Sequence, residues 1–151
     1  MPIATRSDLV NLSSENKTEE LARNISIKLK VNDIVFLYGD MGVGKTTFTK
    51  YLINFIQKKN NLVQTEVTSP TFNLLNEYRI NEIKINHYDL FRLKKSKEVK
   101  GLELFEDRVK SITFIEWPQI IKEKPKNLIE LFFEYENNHQ TRSVQIKGIN
   151  L

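Results

Sequence analysis

Eight consecutive residues constrain this chain more than any others: Gly39-Asp40-Met41-Gly42-Val43-Gly44-Lys45-Thr46. They satisfy G-x-x-x-x-G-K-[ST] at every position. Before them lies a continuous apolar run, Ile34 to Tyr38, of the kind that forms a strand buried on both faces. After them, Lys45 to Lys59 places Phe48, Tyr51, Leu52, Phe55 and Ile56 on one helical face. The order is therefore strand, glycine loop, helix. Glycines permit positive φ and close approach of the backbone to a ligand. Successive N–H groups can then converge on one point, where the helix N-terminus adds partial positive charge. The segment Asp40, Met41, Gly42, Val43, Gly44, Lys45, Thr46 and Thr47 is accordingly the candidate cradle for a nucleotide's phosphates. Lys45 would bring a point charge to the β and γ phosphates, and the Thr46 hydroxyl is a natural Mg²⁺ ligand. Thr47 carries no separate role and sits in the first helical turn.

The rest of the chain reads as one α/β domain over residues 1–151, with no repeat and no low-complexity linker. Asn16-Lys17-Thr18-Glu19 has the pattern of a helix start, and Leu21, Ala22, Ile25 and Leu29 follow at helical spacing toward an end near Asn32-Asp33. Phe72 to Ile80 and Ile83 to Leu90 flank Asn81-Glu82, which predicts two antiparallel strands. Ser96 to Phe105 reads as helix interrupted at Gly101. Ile112 to Ile115 reads as a second buried strand, stopped at Trp117-Pro118 because a residue before proline is held extended. Leu128 to Glu136 and Ser143 to Lys147 alternate in polarity and predict a closing hairpin at a sheet edge, turning near Asn137-Asn138. The expected sheet has buried parallel strands in the middle and antiparallel strands outside.

A phosphate cradle alone hydrolyses nothing: Mg²⁺ needs carboxylates, and a water must be oriented. In open α/β sheets such groups stand at the C-terminal ends of strands. Asp89, after Ile83 to Tyr88, and Glu116, at the tip of the buried strand Ile112 to Ile115, meet that condition. Glu116 takes the place of a Walker-B acid; otherwise it is a surface acid at a strand end. Asp89 is the second candidate acid, or else a helix cap or turn former. Thr71, in Ser69-Pro70-Thr71, could bind Mg²⁺ or a water, or belong to a plain turn. His87 shares a strand face with Asp89 and reads as a buried, hydrogen-bonded histidine. Trp117 reads as core packing, with stacking near a nucleotide as the alternative.

Composition excludes other chemistry. The 151 residues contain no cysteine, which removes disulfides, thiol redox chemistry and Cys-ligated zinc. The two histidines, His87 and His139, are too far apart in sequence to suggest an all-His metal site. The net charge of +4 suits an acidic partner but equally a solvated surface, including the Lys94 to Lys100 cluster that could otherwise meet tRNA. The start, carrying Arg6 and Asp8, has no apolar block of signal-peptide length, and the longest clean apolar run falls far short of a membrane span. A cytoplasmic protein without a membrane partner is expected. No Asn-Lys-x-Asp follows the glycine loop, so ATP is preferred to GTP as the nucleotide.

Four motifs in this order and spacing resemble the TsaE (YjeE) family over nearly the whole chain: Gly39 to Thr46, Ser69-Pro70-Thr71-Phe72, His87-Tyr88-Asp89-Leu90-Phe91-Arg92 and Ile115-Glu116-Trp117-Pro118. The glycine loop is generic; the S-P-T-F, H-x-D-x-[YF]-R and E-W-P combination is specific. Phe91 stands where tyrosine is common, which removes a hydroxyl and keeps the aromatic ring. The resemblance implies a three-layer domain of P-loop NTPase type, with a mainly parallel central sheet and antiparallel flanking strands. It implies a bacterial Mg²⁺-dependent ATPase needed for threonylcarbamoyladenosine beside the anticodon of tRNA. It also implies binding to the TsaD transferase and TsaB, contact with tRNA through that complex, and hydrolysis that resets the complex. Carried over by motif, Lys45 and Thr46 would hold phosphate and Mg²⁺, Asp89 and Glu116 would approach Mg²⁺, Glu116 would also approach the attacking water, and Thr71 would belong to a switch segment. Arg92 matches its motif without a defined role, and no oligomeric state follows from the motifs. Two rival readings remain: a small-molecule kinase, and an ATP-gated binding module without turnover.

Overall fold

The fold was analysed in a computed structural model, which describes residues 9–106 and 110–151. Residues 1–8, with Arg6 and Asp8, lie outside the described residues. The element order is β1 (Leu9–Asn11), α1 (Glu15–Lys28), β2 (Ile34–Tyr38), α2 (Lys45–Lys59), β3 (Leu75–Ile80), β4 (Ile83–Asp89), α3 (Ser96–Lys100), β5 (Ser111–Glu116), a 3₁₀ turn (Pro118–Ile120), β6 (Leu128–Glu136) and β7 (Thr141–Lys147). The strands form one sheet in the order β1-β7-β6-β2-β5-β4-β3. The β6–β2, β2–β5 and β5–β4 pairs are parallel. The β1–β7, β6–β7 and β3–β4 pairs at the margins are antiparallel.

Hydrophobic patterning explains the layers. On α1, Thr18, Leu21, Ala22 and Ile25 are buried; on α2, Phe48, Leu52 and Ile53 are. These faces cover one side of the sheet, meeting Val35, Leu37, Ile85, Phe114, Leu131, Phe133 and Val144. The opposite side buries Ile34, Phe36, Tyr88 and Ile115 beneath Leu90, Val99 and Ile121. That far layer is thin, because α3 ends at Lys100, ahead of Gly101. A strand packed on both faces must be apolar at every position, which accounts for the uninterrupted Ile34–Leu37 run.

Four local expectations are corrected. The cap of α1 is Ser14, whose hydroxyl accepts from the Lys17 amide, and the helix stops at Lys28 with Leu29 extended. Strand β3 begins at Leu75, not Phe72: residues 70–74 turn back through a Leu74 N–H to Pro70 carbonyl bond of 2.7 Å, and Phe72 is 85% exposed. The β6–β7 hairpin is not at an edge. β6 pairs in parallel with β2, and β1, which alternation over three residues could not signal, covers the outer side of β7. Trp117 is not extended before Pro118: it adopts φ 58°, ψ 54°. Among the described residues, no helix is long and apolar enough to cross a membrane.

Candidate functional site

The loop after β2 has the backbone its glycines permit: Gly39, Gly42 and Gly44 take φ of 142°, 79° and 117°. A Cβ at Gly39 would fall 2.8 Å from both the Phe133 carbonyl oxygen and Val43 Cγ1, so the first glycine is required by space as well as conformation. Val43 closes the loop by donating its N–H to Asp40 (3.2 Å) and buries its side chain in the core. The loop also rests on the β6–β7 hairpin, where the Tyr135 hydroxyl donates to the Met41 carbonyl (3.3 Å). Helix α2 starts at Lys45, directly behind Gly44.

Beside this loop is a cavity of about 270 Å³, lined by Met41, Gly42, Gly44, Lys45, Thr46 and Thr47 and by Ser69, Thr71, Asp89, Phe91, Glu116 and Trp117. The parallel register of β4 and β5 sets Asp89 directly opposite Glu116, so the two acids occupy neighbouring strand tips. Both are almost fully buried. Thr46 Oγ1 donates to Glu116, 3.1 Å from Oε2 and 3.3 Å from Oε1. Asp89 Oδ2 accepts from Ser69 Oγ (2.9 Å) and Thr71 Oγ1 (3.0 Å), and Oδ1 accepts the Phe91 amide (2.9 Å). Asp89 thus shapes a turn and faces the cavity at once. Of the residues singled out from the sequence, Met41, Gly42, Gly44, Lys45, Thr46, Thr47, Thr71, Asp89, Glu116 and Trp117 line this cavity, whereas Arg92 lies outside it, over the Phe72 ring. Asp40 and Val43 belong to the loop without lining the cavity: Asp40 is exposed and Val43 points inward.

Lys45 is 4% exposed. Its ammonium donates to the Gly39 carbonyl and stands 3.8 Å from the centre of the Trp117 ring. Burial pushes its pKa below the usual lysine value, while Glu116, Asp89 and Asp40 pull in the opposite direction. A desolvated ammonium gains from an anionic partner, while the nearby carboxylates oppose an anion unless a cation stands between them. Trp117 therefore does not belong to the core: half-buried, it covers Lys45 and tilts against Phe91 at 4.9 Å. Its left-handed backbone gave no sequence signal, since the following proline argued for the opposite. Ser69 stood in its motif without a role of its own, and spacing did not mark the His87 contact to Glu116. His87 itself is fully buried and hydrogen-bonded, with Nε2 2.6 Å from Glu116 Oε2.

The donor set suits a hard cation completed by a substrate. Thr46, Asp89 and Glu116 offer only oxygen, the ligand type of Mg²⁺. Among the described residues, no group of three or more His, Asp or Glu side chains could hold a metal by itself. Mg²⁺ is commonly held by one or two carboxylates together with phosphate oxygens and water, so a two-acid site beside a phosphate cradle fits it.

The fold is α/β, of the P-loop NTPase type. A family model described as threonylcarbamoyl adenosine biosynthesis protein TsaE matches residues 12–144. The chain belongs to the TsaE family. It is 43% identical over 121 residues to the tRNA threonylcarbamoyladenosine biosynthesis protein TsaE of Rickettsia bellii, covering 80% of this chain and 81% of that one. It is 36% identical over 134 residues to the protein of the same name from Aquifex aeolicus, covering 88% and 92%. The match to the Rickettsia conorii protein, 43% over 111 residues, spans 74% of this chain and 61% of the relative's length. The crystal structure of YdiB from Bacillus subtilis shares the fold, with a TM-score of 0.68 at 21% identity over 94% of this chain and 85% of that one.

Proposed function

We propose that this chain binds and hydrolyses ATP with Mg²⁺ in support of the TsaB–TsaD complex during threonylcarbamoyladenosine modification of tRNA. The family supports the pathway. One observation carries the chemistry: Asp89 and Glu116 stand opposite each other on adjacent strand tips and line the same cavity as Lys45 and Thr46. A glycine cradle beside a hydroxyl and carboxylates that could hold Mg²⁺ and orient a water is one arrangement that supports phosphoryl transfer to water.

The loop amides of residues 40–47 bind the phosphates. Lys45 leaves the Gly39 carbonyl and the Trp117 ring to meet the β and γ phosphates. Mg²⁺, when bound, neutralises charge on the phosphate oxygens; Thr46, Asp89 and Glu116 are the residues that would hold it. Glu116 orients the attacking water, and Thr71, tied to Asp89 through its hydroxyl, is the switch residue that reads the γ-phosphate. Catalysis is by positioning and electrostatics, with no covalent intermediate. Met41 is 65% exposed and Phe91 46% exposed at the cavity, so water has access until a partner covers them. We expect hydrolysis by the isolated protein to be weak, because a switch segment at Thr71 that orders only against a partner keeps turnover coupled to the assembly. Contact with tRNA is through the complex, and the protein works in the cytoplasm.

The test is ATP turnover measured alone and with TsaB plus TsaD. Slow turnover that the two proteins stimulate supports the reading. Absence of turnover in both conditions overturns it in favour of an ATP-gated binding module. ADP release that depends on a small-molecule acceptor overturns it in favour of a kinase.

A further inference from the structure

His87 is the one fully buried imidazole among the described residues, and the ATPase reading gives it no task. It sits on β4, two residues before Asp89, on the sheet face that α2 covers. Across the parallel β4–β5 register it is paired with Phe114, so the Glu116 side chain reaches it diagonally. Its Nε2 lies 2.6 Å from Glu116 Oε2, the oxygen that also receives the Thr46 hydroxyl at 3.1 Å. Because Glu116 Oε2 already accepts the Thr46 hydroxyl, the ring is assigned the Nε2–H tautomer, which donates to that same oxygen. Nδ1 has no hydrogen-bond partner, and among the described residues it is the only buried side-chain nitrogen or oxygen in that condition. A polar ring kept in the interior with one nitrogen unpartnered is costly, and all of its polar bonding goes to one acid.

The geometry points to His87 as a positioning residue: it clamps Glu116 Oε2 from behind and so fixes the carboxylate that approaches Thr46 and the phosphate loop. The inference rests on the ATPase reading and adds a residue to it. The clamp decides which oxygen faces the cavity. Oε2 takes the imidazole N–H, while Oε1, 3.3 Å from the Thr46 hydroxyl, has no hydrogen bond to the imidazole. Without the clamp, Glu116 can rotate about its side-chain torsions and lose the orientation that a water or a cation needs. Hydrogen bonds from behind a ligating or catalytic acid commonly contribute about 10- to 100-fold in activity or metal affinity.

The experiment compares His87→Leu and His87→Gln in the intact chain, assayed for ATP turnover with TsaB and TsaD. Glutamine keeps a donor that can reach Glu116; leucine keeps only bulk. His87→Leu is expected to lose about 10- to 100-fold in kcat with KM for ATP little changed, and His87→Gln to recover most of that loss. A second readout needs no turnover. Long-range ¹H–¹⁵N spectra of the imidazole should show the Nε2–H tautomer in the wild type, with a signal that moves in Glu116→Gln. Equal kcat in His87→Leu and the wild type overturns the inference, as does failure of His87→Gln to restore kcat when both variants are folded. An imidazole signal indifferent to Glu116→Gln also overturns it. A wild type without turnover, alone or in the assembly, overturns the ATPase reading itself, and that result is distinct from any of these.

Discussion

Replacing Glu116 separates chemistry from folding, because its two substitutions act differently on a known set of contacts. Glu116 is 3% exposed and accepts from His87 Nε2 at 2.6 Å and Thr46 Oγ1 at 3.1 Å. Glu116→Ala leaves a buried imidazole N–H without an acceptor, which costs about 1–3 kcal/mol of stability. The Thr46 hydroxyl, half-buried at the cavity, can turn to water. Glu116→Gln keeps the shape: its amide oxygen accepts from His87, and the stability loss is about 1 kcal/mol or less. Both variants remove the negative charge to which the proposed mechanism gives the task of orienting the nucleophile. Loss of one preorganised electrostatic group costs about 3 kcal/mol in the transition state, roughly 150-fold in kcat. The assay is single-turnover hydrolysis with TsaB and TsaD, alongside urea unfolding and nucleotide affinity. The expected pattern is two slow variants that still bind ATP, of which only Glu116→Ala is clearly destabilised. A Glu116→Gln variant with wild-type turnover would remove Glu116 from the chemistry.

Much of this site was legible because its physics is local. Ile34–Tyr38 and Lys45–Lys59 were readable to the residue, since a doubly buried strand and an amphipathic helix each write their period into the chain. Asp89 and Glu116 could be placed at strand ends because each is an acid that follows a strand-like segment. Their mutual placement needed the parallel β4–β5 register, which no local pattern encodes. Alternation in β6 reports that one face is buried, which it is, and does not report its edges, which pair with β2 and β7. Trp117 is the sharpest departure. The bias of pre-proline residues toward extended backbone is outweighed there by a ring seated over Lys45 and against Phe91. A left-handed non-glycine residue beside a site is the kind of strain that functional constellations retain.

Three further outcomes are expected. Gly39→Ala forces a Cβ into the Phe133 carbonyl at a φ of 142°, and urea unfolding should show a loss of about 1–3 kcal/mol; an unchanged midpoint would contradict that backbone. Trp117 is the only tryptophan, so its emission should change when Mg²⁺ and ATP draw the Lys45 ammonium from its ring, and Lys45→Ala should abolish the response. The Glu15 carboxylate, accepting from the Tyr51 hydroxyl across α1 and α2, together with slight burial, pushes the Tyr51 pKa up to about 12. The folded state then holds this proton more tightly than the unfolded chain, so the stability it contributes is complete below about pH 10 and is lost as pH rises toward 12. Glu15→Gln should bring the Tyr51 ring resonance back toward an ordinary phenol titration; no movement would refute the contact.

The most direct measurement is a crystal structure with Mn²⁺ and a non-hydrolysable ATP analogue, read by the manganese anomalous signal. The account predicts one peak bounded by Thr46, Asp89 and Glu116, with the triphosphate along the amides of residues 40–47. A peak remote from these three side chains, or a triphosphate seated outside the glycine loop, would contradict it.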